Sequence, residues 1–347
     1  MAEKAIRLGG ESTADAIVSA VDAMYTEHTF AEKDFALKHN EDEISVDTNF
    51  AAQNFWKEAL IRFFNKKSAV LGLVLIVVIV LLAVLGPGMN SYTYSGQDLS
   101  QKNFAPRVPG IEQFGILDGS EKMSTTTGSK IINNYVEKEK TDVYYWFGSD
   151  LYGRDIWTRT WEGARVSLII AVAAAIIDMV IGMSYGLISG YFGGRVDMVM
   201  QRFLEVANGI PRLVIVTLLL LVLQPGMVTI IFALMLTEWV GMSRIARAEM
   251  LKLKDQEFVL ASRTLGAGSF FIIFKEVLPN IIGPIITQVM FSIPTAIFTE
   301  AFLSFVGLGI PVPQCSLGSL ISELYNSFTT HPYQIIPPIV VMSLLML

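Results

Sequence analysis

The feature that most constrains the fold is an uninterrupted apolar run in the first quarter of the chain. Ser68 to Gly86 reads SAVLGLVLIVVIVLLAVLG, 19 residues without a charged side chain. As a helix this run extends about 29 Å, which matches a bilayer core of about 30 Å. Because it begins too far from the N-terminus for a cleaved signal peptide, we interpret it as a permanent transmembrane helix. Arg62, Lys66 and Lys67 precede it and predict a cytoplasmic N-terminus.

The charge distribution excludes a soluble globular protein. Only 17% of the chain is charged, against roughly 25% in an average soluble domain. From Arg165 to the C-terminus 20 of 183 residues are charged, too few to cover a surface in water. Residues 1–60 differ, with 5 basic against 12 acidic residues, and therefore form an acidic tail.

Further apolar runs predict an all-α integral membrane protein with six transmembrane helices. The runs after the first are 166–192, 203–223, 227–242, 281–306 and 333–347. Basic residues flank the second and fourth runs, as the positive-inside rule requires of cytoplasmic loops; they are Arg195, Arg202, Arg244, Arg247, Lys252 and Lys254. The last run has 15 residues, so it is either truncated or tilted.

Four regions follow from this topology. They are a cytoplasmic tail (1–60), the first transmembrane helix (61–86), an extracellular loop (87–163) and a five-helix core (164–347) with a polar loop at 244–280. The tail is predicted to be mostly disordered, with one short helix near residues 12–24 that either is solvated or docks a partner. The Ser, Thr, Gly and Asn content of residues 87–140 predicts a loosely structured elaboration rather than a second domain.

No motif for catalysis is present in the sequence. The chain lacks G-x-x-x-x-G-K-[ST], H-E-x-x-H and G-x-S-x-G, so it has no phosphate cradle, zinc-protease helix or serine nucleophile elbow of these kinds. Its one cysteine, Cys315, excludes an intrachain disulfide and a multi-cysteine metal site. We therefore expect no enzyme activity, no bound cofactor or metal, and no nucleic-acid partner.

Small residues recur around an acid in the second apolar run. Ala174, Asp178, Gly182, Gly186 and Gly190 follow one another at intervals of four and share one helix face. Such a face lets another helix approach closely, so we predict tight packing with Asp178 hydrogen-bonded in the contact. Because charge inside a membrane often marks a functional site, a place in the translocation path is the alternative for Asp178.

Glu300 is the second candidate for the translocation path. It lies in the fifth run, close to Pro294. A proline in a membrane helix frees backbone groups, which are tolerated where they line a cavity or are buried in protein.

The loop at 244–280 is the most organised polar segment. We predict that Asp255 caps a helix over 256–265 that Gly266 terminates. Ser269 is predicted to cap a second helix over 270–277, ended by Pro279. Periodicity alone leaves two interpretations open: a hairpin folded onto its own bundle, or a surface that docks a partner.

Four ordered motifs resemble one protein family. Residues 257–280, EFVLASRTLGAGSFFIIFKEVLPN, are similar to the cytoplasmic EAA loop of permease subunits in binding-protein-dependent ABC importers. The stretches FGSDLYGRD (147–155), GARVSL (163–168) and EAFLSFVGLG (300–309) resemble the C-type subunit of oligopeptide and dipeptide permeases.

The resemblance implies the fold of a type I ABC importer permease and a mechanical role for the loop. Its short helix would dock in a groove of an ATP-binding subunit, through Phe258, Val259, Ala261, Ser262, Arg263 and Gly266. Leu260 stands where the family signature has glutamate, so an ion pair made there must be absent or replaced by Glu257. The resemblance also predicts a short cytoplasmic tail beyond Leu347.

The implied complex lies in the bacterial plasma membrane. This chain would pair with a second, homologous permease, two ATP-binding subunits that hold ATP and magnesium, and an extracellular peptide-binding protein, with membrane lipid around it. The expected cargo is a peptide, and relatives that carry nickel or glutathione leave those substrates open.

Two rival functions remain at the sequence level. An ion-coupled secondary transporter would use Asp178 or Glu300 as its proton carrier. A membrane scaffold without transport activity would present the extracellular loop and depend on neither ATP nor a proton gradient.

Overall fold

A computed structural model describes residues 55–125 and 128–347. The helix predicted near residues 12–24 lies outside the described residues. The chain divides into two units, residues 1–66 and residues 67–347. In the first unit the structure describes one helix, α1, Phe55–Asn65.

Long apolar helices dominate the second unit, as the sequence predicts. The first apolar run forms α2, Lys67–Leu85. Four helical stretches in the described residues are long and apolar enough to cross a membrane: Lys67–Gly88, which continues α2, then α4 (Ile156–Phe192), α7 (Met227–Leu253) and α9 (Ser269–Phe305). Two of them contain wider π-helical turns, Asp178–Met183 in α4 and Ile272–Val277 in α9.

The remaining apolar runs do not form straight full-length spans. The run predicted at 203–223 is split into α5 (Gly194–Gly209) and α6 (Arg212–Val222), which meet at 77°. Pro211 causes the break, because a proline pushes the residue before it out of the helical region, and Ile210 has an extended backbone. The last run forms α11, Pro332–Met346, which is too short to count as a full span. The described residues therefore contain four full-length spans, or five if the bent pair is one span, and one shorter apolar helix. The predicted number of six is reached only if the bent pair and the short helix each count as a span.

Two predicted boundaries are wrong. Helix α4 begins at Ile156, ten residues before the predicted run, because Asp155 caps it by accepting a 2.8 Å bond from the Thr158 amide. Pro279 does not end a separate helix, since α9 runs through it. The π-helical turn Ile272–Val277 lies just before Pro279 and widens the helix there. The wider turn accommodates the proline ring, which would clash with the preceding turn of a regular α-helix.

The small face of α4 packs directly against α7, as predicted. A Cβ placed on Gly182 would lie 2.6 Å from the Trp239 carbonyl oxygen, and one on Gly190 would lie 2.9 Å from the Met250 Cβ. Between them, a Cβ on Gly186 would lie 2.8 Å from that of Ala246. The backbones therefore approach to a distance that only glycine allows.

These contacts also set the direction of the two helices. Residue numbers rise together along the contact, from Gly182 beside Trp239 to Gly190 beside Met250, so the helices run parallel. The segment 87–155 leads into the start of α4, whereas the loop after α7 leaves from its end. The two polar segments consequently lie at opposite ends of the bundle.

The segment 87–155 is more ordered than the predicted loose elaboration. It contains a hairpin of β1 (Ser120–Thr125) and β2 (Gly128–Asn133), paired antiparallel with Ser120 opposite Asn133, then α3 (Asn134–Glu137). Buried rings of Phe104, Tyr135 and Tyr145 form its centre. The prediction failed because these aromatic residues are spread over 42 positions and show no periodicity. Short 3-10 turns occur at Gly86–Gly88, Leu99–Gln101, Glu112–Phe114 and Pro332–Gln334.

We predict that Gly186→Ala destabilises the protein, whereas Gly72→Ala does not. The added methyl group at Gly186 meets Ala246 and the Ser243 carbonyl, and overpacking of this kind costs about 1–3 kcal/mol. Gly72 lies in α2 with no atom within 4 Å of an added Cβ. Thermal unfolding of both variants in mild detergent measures the difference, and equal melting temperatures would contradict the packing argument.

Candidate functional site: a loop helix and buried polar groups

The loop after α7 contains a short helix with a well-defined end. Helix α8 is Glu257–Thr264. The Gly266 amide bonds to the Arg263 carbonyl and the Ala267 amide to the Ser262 carbonyl, both at 3.0 Å, which is the Schellman pattern. Gly266 has a φ of +84°, so its predicted role as terminator is confirmed.

The predicted N-terminal caps of this loop are wrong. Gln256, not Asp255, stands at the start of α8, and no side chain caps it. Gly268 rather than Ser269 precedes the next helical segment, α9. The capping propensities of Asp and Ser located the N-terminus of each helix to within one residue. They did not identify the residue that stands at the N-cap position.

Val259 anchors α8 to the bundle. It is fully buried in a cluster that includes Met250 of α7 and Ile272, Ile273 and Val277 of α9. A side chain in this position cannot reach a docking partner, which corrects its place among the predicted contacts. The sequence predicted the helix but could not determine which of its faces the bundle covers.

The outward face of α8 is apolar. Phe258 is 38% exposed, Leu260 43% and Leu265 88%. Phe258, Ala261 and Leu265 are spaced by three and four residues, so they form one stripe along the helix, whereas Leu260, two residues after Phe258, is exposed on a different side. Exposed apolar groups concentrated on one short element are typical of an interaction surface.

The other predicted contacts lie around this stripe. The Arg263 guanidinium lies over the Tyr191 ring at 5.4 Å, so the charge of α8 is held near the end of α4. Ser262 is half-buried, and Ala261 and Gly266 are exposed. Contact of these residues with a second protein stays a prediction.

A second connection stabilises the same end of the bundle. Asp197, in the first turns of α5, accepts bonds of 2.6 and 2.5 Å from the Arg247 guanidinium of α7 and one of 2.5 Å from the Ser189 hydroxyl of α4. Three helices are thus joined beside α8. A displacement of α8 would act on a connected set of helices rather than on a free loop.

Asp178 of α4 is buried at a contact with α9. Its carboxylate accepts a hydrogen bond from the Ser292 hydroxyl of α9, so Asp178 is buried and hydrogen-bonded as predicted, but to α9 and not across the glycine contact with α7. Nearby, Glu238 of α7 pairs with Arg212 of α6 at 2.7 Å, and Arg212 also donates to Thr299 of α9 at 3.0 Å. These polar contacts connect four membrane helices, and a place for Asp178 in the translocation path stays a prediction.

Glu300 is buried between its own helix and the next. Its Oε1 accepts bonds from the Ser304 hydroxyl at 2.7 Å and from the Ser316 hydroxyl. Ser316 caps α10, Leu317–Tyr325, so Glu300 joins the end of α9 to the start of α10. Glu300 therefore has a structural role, because it connects two helices. Its role in transport stays a prediction.

Sequence reasoning missed a cluster of four charges within the described residues. The Asp150 carboxylate accepts from Arg154 at 2.6 Å and from Arg159 at 2.8 Å, and both guanidinium groups also pair with Glu323 of α10. The two arginines and Asp150 are at most 3% exposed. The cluster fixes the motif FGSDLYGRD against α10. The available signal was the density of charge in that motif, but the distant partner Glu323 could not be identified from spacing.

None of these groups forms an evident metal centre. In the part of the chain that the structure describes, no set of three or more His, Cys, Asp or Glu side chains is placed to hold a metal ion. Cys315 is buried and forms no disulfide with the described residues. The arrangement offers connections between helices and an exposed apolar helix.

Comparison with known proteins gives consistent matches. The family model described as the inner membrane component of binding-protein-dependent transport systems matches residues 182–347, and the model for the N-terminal membrane domain of oligopeptide transport permease C matches residues 54–106. The oligopeptide permease protein OppC of Bacillus subtilis is 40% identical, over 82% of this chain and 82% of that protein. The dipeptide permease protein DppC of the same organism is 37% identical, over 90% and 87%. DppC of Lactococcus lactis is 41% identical, over 85% and 87%.

We predict that acid weakens the contact made by Glu323. Burial raises the pKa of this carboxyl, but the charge of Arg159 and the bonds from Arg154 and Arg159 outweigh burial, so its pKa lies below the usual value. A lowered pKa stabilises the folded state above the unfolded pKa of about 4.3, and this contribution is lost as the pH falls through the folded value. Stability measured between pH 7 and pH 3 should therefore decline more steeply in the native protein than in Glu323→Gln.

The same variant tests the cluster at neutral pH. Glu323→Gln should lose about 3 kcal/mol, the lower end for a broken buried pair, because Asp150 still faces both arginines. Glu205→Gln is the matched control, since Glu205 pairs with Arg202 on an exposed surface where such pairs contribute about 0–1 kcal/mol. Equal stability of the two variants would show that the cluster does not hold the segment in place.

Proposed function

The chain belongs to the permease subunits of binding-protein-dependent ABC importers, in the oligopeptide and dipeptide group, and we propose that it moves peptides by coupling to separate ATP-binding subunits. It acts in transport and not in catalysis. The observation that carries the coupling proposal is the exposed apolar stripe of α8 on a helix anchored by Val259.

The ATP-binding subunits dock on α8 at the cytoplasmic face. Support comes from the basic residues at this end of the bundle, which favour a cytoplasmic location under the positive-inside rule, and therefore a cytoplasmic N-terminus. They include Arg195, Arg202, Arg244, Lys252 and Lys254. In this proposal the partner subunits bind ATP and magnesium, and this chain binds neither of them nor another cofactor.

The docking contact in this chain is predominantly apolar. Leu260 takes the position at which the family signature has glutamate, and it is exposed, as are Phe258 and Leu265 of the stripe. Glu257 also lies on the exposed side of α8 and can face a basic group at the rim. The partner groove should accordingly present apolar side chains opposite Leu260 and Leu265.

Transmission of the docking force follows from the packing around Val259. The helix is in contact with both α7 and α9 through one buried cluster, so the partner acts on two membrane helices together. A docked partner shifts the balance between inward-facing and outward-facing states only if it binds one of them more tightly. ATP-driven closure of the partner subunits supplies that difference.

The transported substrate is a peptide that an extracellular binding protein delivers. The named relatives are oligopeptide and dipeptide permeases, which supports this substrate class. A second, homologous permease completes the path, since the described helices of one chain present large apolar faces to their surroundings.

We expect Leu265→Asp to weaken docking of the ATP-binding subunits by about a hundredfold. An unpaired carboxylate buried in an apolar contact costs on the order of 3 kcal/mol, and each 1.4 kcal/mol is about tenfold in affinity. Leu99→Asp is the control, because Leu99 is 66% exposed on segment 87–155, at the opposite end of the bundle. Co-purification of the ATP-binding subunits measures the effect, and their full retention by Leu265→Asp would refute α8 as the docking element.

Peptide uptake by the reconstituted complex tests the substrate and the energy source together. Labelled peptide should enter proteoliposomes only with ATP on the α8 side and should be unaffected by collapse of the proton gradient. Uptake that survives without ATP but stops with that gradient would instead support the ion-coupled transporter. Competition by nickel or glutathione, rather than by peptides, would overturn the peptide assignment alone.

A further inference from the structure

Segment 87–155 carries a conspicuously apolar surface loop. Residues 108–117, hereafter the apolar loop, read VPGIEQFGIL. Phe114 is 81% exposed, Ile116 61%, and Ile111 and Leu117 43% each. Four large apolar side chains within seven residues of one exposed loop form a patch of the kind that contacts a membrane or a protein.

The single charge of the apolar loop does not oppose burial. The Glu112 carboxylate accepts a 2.5 Å bond from the Arg107 guanidinium and a 3.4 Å bond from the Tyr144 hydroxyl. The same guanidinium lies 4.4 Å from the centre of the Tyr144 ring. Both charges are therefore compensated within the segment, and the projecting side chains carry none.

The loop lies at the level where the membrane helices end. Val108 and Leu117 line an apolar cavity of about 370 Å³ together with Trp157 of α4 and Ile336 of α11. Trp157 donates a 2.9 Å bond from Nε1 to the carbonyl oxygen of Gly86, at the end of the first span. The cavity thus joins the apolar loop to the ends of two apolar helices, α4 and α11, and Trp157 connects it to the end of the first span.

Aromatic residues mark this level as a membrane–water boundary. Trp146, Trp157 and Tyr333 all line the cavity, and Trp and Tyr are enriched where membrane helices leave the bilayer. Leu117 of the exposed patch lines this cavity together with Trp157 and Ile336, which belong to apolar helices. A bilayer is consequently the occupant that the surroundings of the patch favour.

We propose that the apolar loop is a membrane-contact site that inserts Ile111, Phe114 and Ile116 into the interfacial layer of the leaflet opposite α8. The ligand is the phospholipid of that leaflet, whose acyl chains extend towards the cavity beneath the loop. This contact adds an attachment of segment 87–155 to the bilayer besides its contacts with the bundle. It goes beyond peptide transport and does not depend on which substrate is carried.

Site-specific fluorescence in the intact complex tests the proposal. Phe114→Cys and the control Val136→Cys are labelled with an environment-sensitive fluorophore and reconstituted in phosphatidylethanolamine and phosphatidylglycerol vesicles. Val136 is 64% exposed on the same segment but lies between Tyr135 and the charged run of Glu137 and Lys138. The native Cys315 is 1% exposed, so the unsubstituted complex provides the labelling blank.

The label at Phe114 should emit at shorter wavelength than the label at Val136. It should also lose intensity with lipids that carry a nitroxide near the headgroup and resist aqueous iodide, whereas the control label shows the opposite response. Ile116→Cys repeats the measurement if Phe114→Cys fails to assemble.

Two results would overturn the proposal. Iodide quenching at Phe114 equal to that at Val136 would place the loop in water. Shielding that arises only after the peptide-binding protein is added would assign the patch to a protein contact instead.

Discussion

The close contact between the glycine face of α4 and the second half of α7 positions the rest of the molecule. Gly182, Gly186 and Gly190 put no side chain of α4 into this contact, so the two helices approach closely and in a fixed register. The register places the end of α7, and with it α8, at one end of the bundle. The start of α4, and with it segment 87–155, lies at the other end.

Helix α9 connects these two ends. It begins beside α8, where Val277 packs in the same cluster as Val259, and it reaches Glu300 near its far end. Through Ser316 that carboxylate joins α10, which the charged cluster of Glu323 in turn ties to segment 87–155. A movement imposed on α8 therefore has a continuous packed route to the opposite end, as rigid-body transitions require. The contacts of Asp178 and Arg212 with α9 lie along this route.

Local sequence patterns correctly predicted the structural features that depend only on neighbouring residues. The apolar run at 68–86, the four-residue spacing of the glycines and the Schellman glycine at Gly266 all act within one or two helical turns, and each was found as expected. Predictions failed where the burial or the partner of a residue depends on a distant part of the chain. Val259 was taken for a docking contact because its burial depends on α7 and α9, and Arg159 was overlooked because its partner Glu323 is 164 residues away.

The sequence by itself determined that this chain is a membrane protein, which stretches of it form apolar helices, and which permease family it belongs to, because hydropathy and motifs are properties of short segments. Only the tertiary structure decided which face of α8 is exposed, that Pro211 bends one span while Pro279 lies within another, and that the scattered aromatic residues of segment 87–155 converge. Burial is a property of the neighbours that a residue acquires on folding, and those neighbours lie far apart along the chain.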